Sequence, residues 1–224
     1  MKNDILDKLK TLADPKAVEG MARYGINPHN TYGVSIPNLR KIARETGINH
    51  ALAQELWASG IHEARILASM IDDPSMATEE QLENWVLDFD SWDVCDQCCM
   101  NFFQKTGFAY HKAVEWSERD KEFVKRAGFA MMACLAVSDK KADDDLFDTF
   151  FPIIKREASD NRNYVKKAVN WALRQIGKRN IDLNKKAILI AGEIQKMDSK
   201  SAKWIASDAI RELTGESVQK RLHR

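Results

Sequence analysis

The sequence predicts an all-α chain built from repeated pairs of helices. Apolar residues recur at helical spacing almost throughout, and helix-ending signals interrupt them at short intervals. No segment offers the strict alternation of a strand bounded by hairpin turns, and five prolines and ten glycines are few for a chain rich in β-turns.

Taken in order, Ile5, Leu6, Leu9 and Leu12 mark the apolar face of a first helix, closed by Asp14-Pro15. Gly25 ends the next piece. Leu39, Ile42 and Ala43 mark the helix that stops at Gly47, and Asp72-Asp73-Pro74 ends the run after it. Leu82, Trp85, Val86 and Phe89 form one more face, and Thr106-Gly107 closes the segment that follows. Ser138-Asp139, Ser159-Asp160, Met197-Asp198 and Gly215 punctuate the rest, leaving pieces mostly of helix length.

A repeat lies beneath these helices. Val124-Lys125-Arg126-Ala127-Gly128-Phe129-Ala130 resembles Val165-Lys166-Lys167-Ala168-Val169-Asn170-Trp171, and both resemble Ser201-Ala202-Lys203-Trp204-Ile205-Ala206-Ser207. His62-Glu63-Ala64-Arg65-Ile66-Leu67-Ala68 is a weaker copy. Arg126 to Lys167 is 41 residues and Lys167 to Lys203 is 36, a spacing of one helical hairpin per unit. This is the pattern of a HEAT-like helical-repeat solenoid of stacked antiparallel helix pairs. The second helix of each unit opens on a basic residue, which leads us to expect a concave basic groove suited to a nucleic-acid backbone. Solenoids that bind other proteins are the alternative. With 224 residues, we read 1–224 as a single domain.

The formal net charge of +1 hides an asymmetry. Residues 155–224 hold 17 Lys and Arg against 8 Asp and Glu, net +9, the footprint of a polyanion-binding segment or of solvated helix faces. No apolar run reaches membrane-spanning length and the N-terminus lacks a signal-peptide core, so the expectation is a cytoplasmic protein with no membrane association. Cys95-x-x-Cys98 has the spacing of a redox or metal pair, but no second pair or spaced histidines accompany it, and small buried hydrophobes fit better. No metal is expected.

The segment Asp90-Ser91-Trp92-Asp93-Val94-Cys95-Asp96 carries the most chemistry. On a helix, Trp92 and Asp96 are four apart and project side by side. An indole face beside a carboxylate suits a cationic or cation-forming substrate. A core Trp next to a surface Asp is the competing reading.

Five motifs fall in order: Met21-Ala22-Arg23-Tyr24; Tyr32-Gly33-Val34-Ser35-Ile36-Pro37-Asn38-Leu39-Arg40-Lys41; Ser91-Trp92-Asp93-Val94-Cys95-Asp96; Val124-Lys125-Arg126-Ala127; and Lys166-Lys167-Ala168-Val169-Asn170-Trp171-Ala172-Leu173-Arg174. From about residue 15 onward they resemble the bacterial DNA alkylation repair enzymes of the AlkD-like family, HEAT-like-repeat DNA glycosylases. The resemblance implies a monofunctional glycosylase of base excision repair, hydrolysing the N-glycosidic bond of cationic alkylpurines such as 3-methyladenine and 7-methylguanine in duplex DNA. It implies no base-flipping pocket, no cofactor and no obligate partner subunit, so a monomer is expected. By position it implies catalytic roles for Trp92, Asp96, Trp171 and Arg126, and DNA contacts for Tyr24 and Arg174. Lys166, Lys167, Lys178, Arg179 and Lys203 are further phosphate-contact candidates. The family's catalytic Trp often follows another Trp, where this chain has Ser91. The family also contains branches that bind damaged or branched DNA without glycosylase activity, which is the alternative function.

Overall fold

In the computed structural model, which describes residues 1–223, the chain is helical and no strand occurs among the described residues. It divides into two compact units, Met1–Phe108 and Ala109–Arg224.

The first unit contains α1 (Lys2–Thr11), α2 (Pro15–Arg23), α3 (Ile36–Thr46), α4 (His50–Trp57), α5 (His62–Ile71), α6 (Glu79–Leu87) and α7 (Trp92–Asn101). Side-chain caps start several of them: Asp14 accepts the backbone N–H of Lys16 and Ala17, Asn49 that of Leu52, and Thr78 that of Gln81. The Asp14-Pro15 break therefore ends one helix and starts the next. Helices α4 and α5 form a hairpin, and α5 packs on both α3 and α7. The core centres on aromatics. Trp57 of α4 stacks on Trp85 of α6 with ring centroids 4.0 Å apart, and Phe89, Phe102 and Phe103 close around them. Trp57 also donates to Asp88 at 2.9 Å, which satisfies its indole N–H.

The second unit contains α8 (Ala109–Ser117), α9 (Glu122–Ser138), α10 (Asp144–Asp148), α11 (Phe150–Glu157), α12 (Asn163–Ile176), α13 (Ile181–Gln195), α14 (Lys200–Leu213) and α15 (Glu216–Leu222). Three hairpins follow one another: α8–α9, α11–α12 and α13–α14. Their second helices pack in the order α9, α12, α14, and their first helices in the order α8, α11, α13. Helix α9 is buried almost end to end, from Val124 to Ala136. Gly128 makes that possible: a Cβ there would stand 2.4 Å from the Ser117 backbone nitrogen, so α8 and α9 touch backbone to backbone.

The repeat appears here as a ladder of side chains 38 residues apart. Arg126 donates to the Tyr164 carbonyl at 2.7 Å, Asn170 to Asp208 at 2.7 Å, and Lys155 to Glu193 at 2.7 Å. Arg156–Glu118, Arg174–Glu212 and Lys186–Asp148 keep the same spacing. This value lies between the 41 and 36 read from the sequence.

All four cysteines are buried, and none is in a disulfide. Burial raises the Cys98 thiol well above its ordinary range, so it stays protonated. No helix among the described residues is long and apolar enough to cross a membrane.

Candidate functional site

Helix α7 buries Val94, Cys95, Cys98 and Cys99 and turns its opposite face outward. That face presents Trp92, Asp96 and Met100, and beside them Asp93 and Gln97, each series in steps of four residues, to a cleft of about 430 Å³ within the first unit. Pairs at the same i, i+4 spacing complete the wall: Ala17 and Met21 from α2, His62 and Ile66 from α5. The remaining wall comes from Ile26, the Gly33–Val34 stretch and the start of α3 at Ser35 and Ile36. A mostly apolar wall with a few convergent polar groups is the usual composition of a ligand site.

The polar groups are fixed by long-range bonds. The Trp92 indole N–H donates to the Tyr24 carbonyl at 3.1 Å. Ser91, fully buried, accepts the Asn27 backbone N–H at 2.9 Å, and the Asn27 amide donates to Asp90 at 2.6 Å. The Ser at position 91 thus ties the start of α7 to the segment after α2, work its small hydroxyl can do and an indole could not. Opposite, the buried Glu63 carboxylate accepts backbone N–H groups from Tyr32, Gly33 and Val34 at 2.6–3.2 Å. Gly33 has φ +79°, and a Cβ there would meet the Asp14 carbonyl at 2.3 Å. Only glycine brings the chain so close, so Glu63 and Gly33 together set the cleft wall.

His62 and Asp93 pair inside this site at 2.8 Å, Nε2 to Oδ2, and the second Asp93 oxygen is buried without a hydrogen-bond partner. Burial alone would lower the His62 pKa. The Asp93 hydrogen bond and charge, helped by Glu63 and Asp90, outweigh it and raise the value. A histidine with a raised folded-state pKa adds stability that is fully present below the unfolded value near 6.5 and is lost as pH climbs through the folded value. The unfolding free-energy difference between wild type and His62→Gln, measured by urea titration, should therefore be larger at pH 6 than at pH 9.

The four residues assigned catalytic roles by resemblance divide between the units: Trp92 and Asp96 in the first, Arg126 and Trp171 in the second. Both Trp92 and Asp96 are half-buried, and Tyr24 leaves its ring 77% exposed while its carbonyl holds Trp92. Arg126 is buried with its guanidinium on the first turn of α12. One face of α12 carries Lys167, Trp171 and Arg174 at helical spacing, and Lys178 follows in the turn after the helix. At the ladder spacing of 38, the positions flanking Trp171 are Ala133 and Ala209, both fully buried.

The basic residues of this unit have partners that charge counting did not foresee. Arg174 pairs with Glu212 and Asp208, and Lys178 with Glu212 at 2.6 Å. Arg179 donates to three backbone carbonyls, of Ala136, Asp139 and Ala142, and lies 4.0 Å from the Phe147 ring centroid. That guanidinium is a clamp on the end of α9, with three of its five N–H donors engaged. Lys167 is exposed, Lys203 sits 3.7 Å from the exposed Asp198, and Lys166 lies over the Trp204 ring.

Sequence reasoning missed His62, Asp93 and Glu63 as parts of the site. One signal was available: Glu63 stands where two of the other three repeats carry Lys125 and Lys166 and the third carries Ala202.

The model of the family described as DNA alkylation repair enzyme matches residues 5–213. The chain belongs to that family. Among solved structures, the DNA alkylation repair chain is similar to one described as "a new family of proteins related to the HEAT-like repeat DNA glycosylases with affinity for branched DNA structures", at 21% identity over 93% of this chain and 94% of that one, TM-score 0.78. This similarity gives the family member its HEAT-like repeat fold. A designed armadillo repeat protein in complex with the peptide (KR)4 aligns at 15% identity over 83% of this chain and 88% of that one, with a TM-score of 0.38 that carries no weight. No curated protein matches the chain.

Proposed function

We propose that this DNA alkylation repair protein is a monofunctional glycosylase that releases cationic N-alkylated purines, such as 3-methyladenine and 7-methylguanine, from duplex DNA. The observation that carries the reading is the pairing of the Trp92 ring with the Asp96 carboxylate along one cleft, in a chain that belongs to this family. Alkylation at N3 or N7 makes the base cationic, weakens the glycosidic bond and lets the base leave neutral. As that bond breaks, positive charge moves onto the deoxyribose. Asp96 is the group to stabilise the forming oxocarbenium and to orient or deprotonate the attacking water. Trp92 offers the electropositive sugar an aromatic face. Arg126 and Trp171 are assigned to the same reaction, and Lys166, Lys167 and Lys203 to the DNA backbone. Tyr24 and Arg174 keep their places as DNA contacts, Arg174 through exchange of its carboxylate partners. Incubation with methylated duplex DNA and chromatography of the released bases tests the reading: release at the spontaneous depurination rate would sink it.

A second reading is a DNA-binding module without catalysis. It draws support from the similar solved structure, whose family is described as having affinity for branched DNA. It predicts salt-dependent binding that favours branched over linear duplex, with no base released.

A further inference from the structure

The chain has six tryptophans, and their settings differ. Trp57, Trp85 and Trp116 are buried in the cores, and Trp92 and Trp171 are half-buried. Trp204, in the first turns of α14, is 42% exposed. Lys166 of α12 holds its ammonium 5.0 Å from the Trp204 ring centroid. Lys167 and Lys200 are exposed close by in sequence, and Lys203 is next to Trp204 in the chain.

The placement of these cations is costly to the helices themselves. A helix N-terminus carries partial positive charge and favours acidic side chains in its first turn. Helices α9, α13 and α15 follow that rule with Glu122, Asp182 and Glu216. Helices α12 and α14 have no acidic residue in the first turn and carry lysines there or just beyond. The acid that reaches the cluster is Asp198, 3.7 Å from Lys203, and both side chains of that pair are more than half exposed, so the pair is heavily screened.

We propose that Trp204, with Lys166 over its ring and Lys203 next to it in the chain, is a stacking site for an unpaired nucleobase of a DNA strand, separate from the Trp92–Asp96 cleft. An exposed indole within a cationic rim matches the two features every nucleotide offers, a flat π-face and an anionic linkage. Bases inside a duplex have both faces covered by their neighbours, so the site selects a gap, flap or junction over intact duplex. Lys166 already lies over the ring, and a stacked base would release its ammonium to the adjoining phosphate. The inference rests on DNA being the ligand, as proposed above, and on none of the four residues assigned to catalysis.

The test compares the whole protein and two variants on an unmethylated duplex and on the same duplex with a short single-stranded gap carrying 2-aminopurine. Wild type should bind the gapped DNA about 5–100-fold more tightly, the range one stacked base supplies, and quench the 2-aminopurine. Trp204→Ala should lose that preference and the quenching while its duplex affinity changes less than twofold. Trp204→Phe should retain part of both. Equal gapped-DNA affinity for wild type and Trp204→Ala overturns the inference and leaves the glycosylase reading standing. A failure of wild type to bind either DNA overturns both. Competition by an acidic peptide that depends on Trp204 as strongly as DNA does would overturn the nucleobase assignment.

Discussion

Asp96→Asn should lower the release of 3-methyladenine and 7-methylguanine from methylated duplex DNA by about 10²–10³-fold, while DNA affinity stays within a few-fold of wild type. The substitution keeps the shape of the side chain and removes the negative charge that, in the proposed reaction, faces the forming sugar cation. Deleting one preorganised electrostatic group of this kind typically costs about 3–4 kcal/mol of barrier. Trp92 remains pinned by its bond to the Tyr24 carbonyl, so the cleft around the substituted residue should hold its form. Base release is read by chromatography, and affinity by a salt series with an unmethylated duplex. Equal release by both proteins would remove Asp96 from the chemistry. A parallel loss of release and of binding would give it a role in holding DNA.

Glu63→Ala should produce the largest loss of stability of any single change near the cleft. The Glu63 carboxylate is the acceptor for three backbone N–H groups in a stretch that has no regular secondary structure to satisfy them. Leaving buried donors unmatched costs about 1–3 kcal/mol each, so a loss on the order of 3–6 kcal/mol is expected. For a chain of this size that corresponds to a fall in Tm of roughly 10–20 °C by calorimetry. Base release at a temperature where the variant is still folded should fall as well, because the Gly33–Val34 wall of the cleft loses its anchor. A Tm within two degrees of wild type would show that water or another group takes over the acceptor role.

The helices were readable because their physics is local. Apolar residues at i, i+3 and i+4 must share a face, and capping residues such as Asp14 and Asn49 satisfy the donors a few residues ahead. The juxtaposition of Trp92 and Asp96 was readable for the same reason. What escaped was set by distance along the chain. Glu63 meets residues about 30 positions earlier, and His62 meets Asp93 another 31 later. No short-range pattern encodes either contact.

The basic C-terminal third shows the same limit in reverse. Its surplus of Lys and Arg was visible as a count, but the count could not say which cations were engaged. Arg174 and Lys178 meet Glu212 at separations of 38 and 34 residues, and Arg179 is bound to carbonyls about 40 residues before it. Others stay exposed, among them Lys167, Lys185, Lys200, Lys203 and Lys220.

The ladder of contacts 38 residues apart has a consequence for how the second unit comes apart. Each rung joins a hairpin to its immediate neighbours and to nothing further along. Stability in such an array is a sum of nearest-neighbour couplings, so an outermost hairpin is secured from one side and an inner one from both. Helix α9, buried from Val124 to Ala136, should exchange its amide hydrogens last. Trp204 lies on α14, which packs on α12, α13 and α15. A DNA strand gripped there would pass its binding energy to the neighbouring hairpin, one rung at a time.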